Sequence, residues 1–150
     1  MSSAPAKVIF LDVDGVMNNH DTRTDHHVGL VSWLDPKNVA VLNEIVQATG
    51  AVVVVSSTWR LTMTFDELRA SFVAAGSVAE LVGITPDIDA RQRDLEIQVW
   101  LSAQSAPPSR YVILDDDREM PTQPEKLVKT CPSRGLSADD VPAVLALLAD

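Results

Sequence analysis

The segment that most constrains the fold is residues 7–15, Lys-Val-Ile-Phe-Leu-Asp-Val-Asp-Gly. Its run of apolar residues, 8–11, is typical of a strand that is buried on both faces of a parallel sheet. The run ends at Asp12, and ligands of open α/β sheets bind outside the carboxyl ends of the strands. Asp14 follows close enough to share a cation with Asp12, and Gly15 allows the backbone to turn sharply. Taken alone, the segment fits a ligand site and an ordinary Asp-Gly turn equally well.

A second acidic cluster repeats this pattern near the end of the chain. The apolar run at residues 111–114 is followed directly by Asp115, Asp116 and Asp117. Carboxylates this close repel one another unless a cation lies among them, and a divalent ion with oxygen ligands is the usual solution. Because two predicted strands each end in carboxylates, the sequence predicts a magnesium site.

A third predicted strand, residues 51–55, leads into a polar turn with the sequence Ser-Ser-Thr-Trp-Arg. The hydroxyl groups of Ser56 and Ser57 and the backbone N–H groups of such a turn can bind a phosphate. Arg60 at its end either binds substrate or pairs with an acid. Arg91 and Arg93 precede an amphipathic segment, and either would supply the fixed positive charge that a phosphoryl group needs.

These motifs and their order resemble the haloacid dehalogenase-like (HAD) superfamily of phosphohydrolases, over residues 7–117. The resemblance implies that Asp12 is the nucleophile and that Asp14 is the general acid and base. The second motif of the superfamily matches Ser56. Its third motif, more often a lysine, is matched here by Arg93 or Arg91.

The fourth HAD motif, an apolar strand that ends in paired aspartates, matches Asp115 and Asp116. The resemblance implies that magnesium is held by Asp12, Asp115 and the backbone carbonyl of Asp14. Asp116 then supports the metal shell, although which of Asp115 and Asp116 ligates directly stays open at this point. Asp117 is expected to face solvent.

The residues of three motifs also resemble those of a small subgroup found as a domain of bacterial RNA-repair proteins. These are Asp-Gly-Val, Ser-Ser-Thr-Trp-Arg, and Arg-x-x-Glu-Ile at residues 93–97. The implied activity is magnesium-dependent hydrolysis of a phosphomonoester through an aspartyl-phosphate. A nucleotide, a nucleic-acid end or a small phosphometabolite would each fit as substrate.

Two other functions use the same residue types. A phosphoacceptor signalling domain would carry its acceptor aspartate on a middle strand, whereas the middle strand here ends in Ser56, so the motif order disfavours it. A catalytically silent interaction domain on the same fold is the second alternative, since fold does not determine function. The presence of every catalytic residue type favours the enzyme.

Composition sets further limits. The 150 residues fit one domain, and no apolar run is long enough to cross a bilayer, so we expect a cytoplasmic protein without a membrane partner. Acidic residues outnumber basic ones by 21 to 12, giving a net charge of −9. This charge argues against an extended nucleic-acid groove, although a nucleic-acid terminus or a mononucleotide would still fit. The single cysteine, Cys131, is expected to be a structural or surface thiol.

Alternating strand and helix patterns predict a Rossmann-like three-layer α/β/α sandwich with a mainly parallel sheet and no large cap domain. Helices are expected after Asp35, over residues 65–75 and 93–105, and from residue 139 or 140 onward. The expected strands, besides the first, are residues 51–55, 110–114 and 126–130. Residues 77–89 are loosely patterned, and neither a strand nor a helix is assigned there.

Residues 16–34 are mostly polar and lack a helical period, which predicts a flap over the site. The flap is too short to be a large cap, so bulky substrates would have access. Three histidines, His20, His26 and His27, are either metal ligands or solvated side chains of this flap.

Overall fold

The computed structural model describes residues 7–20, 34–61, 63–88, 92–116 and 119–150. They contain a five-stranded sheet in the order β3-β2-β1-β4-β5, with every neighbouring pair parallel. The first strand along the chain therefore lies at the centre of the sheet. The strands are β1 (Lys7–Leu11), β2 (Val52–Val55), β3 (Leu81–Ile84), β4 (Arg110–Asp115) and β5 (Leu127–Lys129).

Four helices in the described part of the chain cover the two faces of this sheet. The face that carries Ile9 and Leu11 packs against three of them, and the face that carries Val8 and Phe10 packs against the fourth through Ile97. The predicted three-layer sandwich is thus confirmed. The helices are α1 (Pro36–Thr49), α2 (Phe65–Ala74), α3 (Arg93–Ser102) and α4 (Val141–Leu148), of which α3 lies alone on its face.

Local sequence signals define the helix ends. The Asp35 side chain accepts a hydrogen bond from the backbone N–H of Lys37, and α1 ends at Gly50 in the left-handed conformation. Thr64 and Glu67 form the predicted capping box at the start of α2. Both predicted helix starts are confirmed.

Strand β3 corrects the prediction for residues 77–89, where no element was assigned. Its sequence, Leu-Val-Gly-Ile, contains a glycine, and only Leu81 is fully buried. Because β3 pairs with β2 alone, at the edge of the sheet, it does not need the continuous apolar run of a central strand. Helix α3 also ends earlier than predicted, at Ser102.

The beginning of the predicted flap belongs to the packed interior. Residues 16–19 are buried, and the Asn19 amide donates to Asp35 at 3.0 Å and to Asn38 at 3.1 Å. Residues 16–19 are therefore anchored to the core, and the flap itself stays a prediction. His20 is exposed, whereas residues 21–33, with His26 and His27, lie outside the described residues.

In the part of the chain that the structure describes, no helix combines the length and the hydropathy that spanning a membrane requires.

Candidate active site

The register of the sheet places four polar residues in one row at its carboxyl edge. The backbone hydrogen bonds of the sheet continue one residue past the strands. The N–H groups of Asp12, Ser56 and Thr85 donate to the carbonyls of Leu114, Leu11 and Val55, respectively, at 2.9–3.1 Å. Successive residues of a strand alternate between faces, so Asp12 points to the same face as Phe10. The same rule puts Ser56, Thr85 and Asp115 on that face, which α3 covers.

Arg93 is the first residue of α3, and its buried guanidinium reaches into this row. Nη1 lies 2.5 Å from Oδ2 of Asp115 and 3.4 Å from Oδ1 of Asp12. Burial by itself would lower the pKa of Arg93, but the neighbouring Asp12 and Asp115 carboxylates hold the pKa above its ordinary value. The side chain therefore places a permanent positive charge between the ends of β1 and β4.

The first turn of α3 is anchored on two sides. Asp94 accepts a hydrogen bond at 2.9 Å from the backbone N–H of Thr122, in the connection between β4 and β5. Glu96 forms a 2.7 Å ion pair with Arg60, in which both side chains are almost completely buried (3% and 4% exposed). Arg93 thus projects from a turn that is fixed by its neighbours.

Three carboxylates form the acidic part of the site. Asp12, Asp115 and Asp116 each offer one oxygen, and these oxygens lie within 4.8 Å of one another. Burial raises the pKa of Asp12 to about 8; Arg93 opposes this rise, while Asp115 and Asp116 add to it. Among the residues that the structure describes, the guanidinium of Arg93 alone faces these three carboxylates. An all-oxygen set of donors suits a hard divalent cation such as magnesium. The predicted metal ligands Asp115 and Asp116 both belong to the cluster.

Asp14 does not belong to this cluster, and its side chain accepts two hydrogen bonds. Its Oδ1 accepts from Nδ2 of Asn18 at 2.9 Å, and its Oδ2 accepts from the indole Nε1 of Trp59 at 3.2 Å. The side chain is half-buried. The two predicted catalytic aspartates therefore have different surroundings, as two carboxylates with different roles require.

Gly15 allows the turn that follows Asp14 to pass close to Asp116. It adopts a φ of +82°, and a Cβ atom at this position would collide with the Asp116 side chain. Its carbonyl accepts a 2.8 Å hydrogen bond from the Thr130 hydroxyl, and its N–H donates to Asn18 at 2.9 Å. A side chain here would displace a member of the carboxylate cluster.

The turn after β2 contributes two serine hydroxyls, and only that of Ser57 has a hydrogen-bond partner among the described residues. The Ser56 hydroxyl is buried and has no hydrogen-bond partner among the described residues. Such a group costs free energy unless a ligand or water satisfies it, so it is suited to bind one. The Ser57 hydroxyl accepts from the backbone N–H of Trp59 at 3.2 Å, so it also shapes the turn. Phosphate binding by Ser57 stays a prediction.

Arg60 pairs with an acid, which is one of the two roles considered for it. Besides its ion pair with Glu96, it donates to the backbone carbonyls of Thr85 at 2.8 Å, Ser57 at 2.9 Å and Pro86 at 3.2 Å. The guanidinium therefore ties the ends of β2 and β3 to α3. Substrate binding by Arg60 would compete with these contacts.

Sequence reasoning missed Thr85, whose buried hydroxyl also has no partner among the described residues. It extends the row of site residues by one strand, and it was overlooked because β3 itself was not predicted. The contacts of Asn18 and Trp59 with Asp14 were missed as well, since no sequence signal pairs them. Two predicted residues, Arg91 and Asp117, lie outside the described residues.

The site combines carboxylates at the ends of β1 and β4, a hydroxyl after β2 and a buried arginine that faces them. On a parallel α/β sheet, this arrangement defines a HAD-type domain. The family model described as the HAD domain in Swiss Army Knife RNA repair proteins matches residues 8–141. The chain belongs to this family, and the resemblance seen in its motifs is confirmed. Comparison with curated proteins and with solved structures gave no match.

Proposed function

We propose that the protein is a magnesium-dependent phosphatase that hydrolyses a phosphomonoester through an aspartyl-phosphate intermediate. The observation that carries this proposal is the meeting of Asp12, Asp115 and Asp116 with Arg93 at the ends of β1 and β4. Membership of a HAD family supports the same chemistry. The residues supply a nucleophile, an oxygen-rich cation site and a fixed positive charge within one small region.

The reaction has two steps. In the first, a carboxylate oxygen of Asp12 attacks phosphorus, the bond between phosphorus and the ester oxygen breaks, and protonated Asp14 donates its proton to the leaving alcohol. In the second, the Asp14 carboxylate takes a proton from water, and the water oxygen attacks phosphorus. The bond between phosphorus and Asp12 then breaks, releasing phosphate and restoring both aspartates.

The carboxylates of Asp12 and Asp115 and the backbone carbonyl of Asp14 would hold magnesium, with Asp116 completing the acidic surroundings. When bound, the ion supplies positive charge that offsets the repulsion between an anionic phosphate and an anionic nucleophile. Arg93 and the Ser56 hydroxyl would orient the remaining phosphate oxygens. In phosphoryl transfer, positioning and charge stabilisation account for most of the catalysis.

The charge of the protein supports a small substrate or a chain end. A net charge of −9 is unfavourable for a long polynucleotide, because duplex binding relies on neutralising many phosphates. A nucleotide, a nucleic-acid terminus or a small phosphometabolite needs only the local charge that Arg93 and the ion provide. We propose that the protein acts on such a substrate in the cytoplasm.

A phosphate-release assay with magnesium tests the proposal. The panel contains mononucleotides, small phosphate esters, and oligonucleotides phosphorylated at the 3′ or 5′ end, with Asp12→Asn as the matched control. We expect release from at least one substrate class by the natural protein and none by the variant. Equal release by both proteins, or none with any substrate, would refute the proposed function and favour a regulatory or interaction domain.

A further inference from the structure

The turn after β2 also carries Trp59, whose side chain contacts Asp14 in the turn after β1. The indole Nε1 of Trp59 donates to one oxygen of Asp14, and the amide of Asn18 donates to the other. We propose that Trp59 and Asn18 are positioning residues, which hold the Asp14 carboxyl in the orientation needed for proton transfer to the leaving oxygen. This inference rests on the proposed function, because it concerns the step in which the alcohol leaves.

The position of Trp59 is fixed from both sides along the chain. Its backbone N–H donates to the Ser57 hydroxyl at 3.2 Å, and its carbonyl accepts from the N–H of Met63 at 3.0 Å. The next residue, Arg60, is anchored by its ion pair and three carbonyls. Because the backbone on either side of Trp59 is held, its half-buried indole is a suitable support for a second group.

The chemistry of the two donors suits a residue that alternates between acid and base. An indole N–H and an amide N–H donate hydrogen bonds but cannot take up the Asp14 proton at ordinary pH. Each occupies a different carboxyl oxygen, so rotation of the carboxyl group is restricted. The two contacts can therefore keep the Asp14 carboxyl in one orientation through both steps of the proposed reaction.

Trp59→Phe is the sharper of the two possible tests, because it removes the N–H and retains most of the ring. Asn18 is less suitable, since it also accepts a hydrogen bond from the Gly15 N–H. The readout is kcat/KM for an alkyl phosphate and for 4-nitrophenyl phosphate. This parameter covers the steps up to departure of the alcohol, so slow hydrolysis of the aspartyl-phosphate does not obscure it.

An alkoxide needs a proton as it leaves, whereas 4-nitrophenolate departs readily without one. We expect Trp59→Phe to lower kcat/KM for the alkyl phosphate about tenfold and for the aryl phosphate less than about twofold. Asp14→Asn should show the same selectivity with a larger loss. Trp100→Phe is the matched control, because Trp100 packs edge-on against the Phe10 ring in the hydrophobic cluster under α3 and should change neither value.

A second measurement reports the contact without turnover. The indole N–H signal of Trp59, assigned by its loss in Trp59→Phe, should move upfield in Asp14→Asn, because the amide is a weaker acceptor than a carboxylate. An unchanged signal, or equal losses of kcat/KM for both substrates in Trp59→Phe, would overturn the inference. If the natural protein hydrolyses no substrate, the proposed function fails, and so does the positioning role of Trp59. If only the selectivity between the two substrates fails, the phosphatase proposal stands.

Discussion

Replacing Arg93 with alanine removes the guanidinium that lies 2.5 Å from Asp115 and 3.4 Å from Asp12. In the proposed reaction this group stabilises charge on the transferring phosphoryl group, and α3 holds it in place before substrate arrives. Losing one preorganised donor of this kind typically costs about 3 kcal/mol, or roughly a hundredfold in rate. We expect a loss of that size in kcat/KM for Arg93→Ala.

The same substitution perturbs the fold, which has to be separated from its effect on rate. Removing one partner of a buried ion pair typically destabilises a protein by about 3–5 kcal/mol. Urea unfolding monitored by circular dichroism identifies conditions under which the variant is folded, and kinetics are measured there. Arg93→Lys retains the charge and should recover part of the rate, since lysine is the more usual residue in HAD domains.

Arg91→Ala is the matched control from the same segment, and we expect it to lose much less activity than Arg93→Ala. Steady-state kinetics on both variants with one substrate are sufficient. If the ranking is reversed, the phosphate-binding role belongs to Arg91. Small effects in both variants would refute the assignment to either arginine.

Four further predictions concern the nucleophile, the ion and the fold. Asp12→Asn should abolish phosphatase activity. In excess chelator the variant should also unfold at a higher urea concentration than the natural protein, because removing one of three clustered carboxylates reduces their mutual repulsion. Near-normal turnover would exclude Asp12 as nucleophile. Chelation should silence the enzyme and calcium should fail to restore it, since calcium prefers a larger and more flexible coordination shell; full activity in excess chelator would contradict this. Glu96→Gln leaves the buried Arg60 charge without its carboxylate and should lower the free energy of unfolding by about 3 kcal/mol in urea titrations; no change would mean that the backbone carbonyls alone satisfy Arg60. Thr64→Ala removes the capping box of α2 and should cost about 1 kcal/mol in the same assay, whereas an unchanged midpoint would mean that the cap contributes nothing.

The central part of the fold was predictable because its signals are local. Strands β1 and β4 are continuous apolar runs that end in acids, and a parallel sheet brings such ends together. The caps of α1 and α2 were predictable for the same reason, since the capping side chain lies within three residues of the N–H that it accepts from. The convergence of Asp12 and Asp115 follows from these elements.

Contacts between distant residues could not be predicted in this way. Arg60 and Glu96 are 36 positions apart, and Trp59 and Asp14 are 45 positions apart. Which side chains meet depends on how α3 and the turn after β2 pack on the sheet, and no local pattern encodes that packing. Thr85 was missed for a related reason, because an edge strand with little buried surface leaves only a weak hydrophobic pattern.

The central position of β1 has a consequence for the order in which the catalytic centre assembles. On one side Val8 pairs with Val52, but on the other side Lys7 pairs with Arg110, much further along the chain. Closing the longer loop costs more entropy, so we expect the half of the sheet made by β1, β2 and β3 to form first, including during synthesis. A nascent chain at that stage already carries its nucleophile, but the carboxylates that complete the ion site arrive only when β4 joins. The proposed activity would therefore begin only after β4 has joined the sheet.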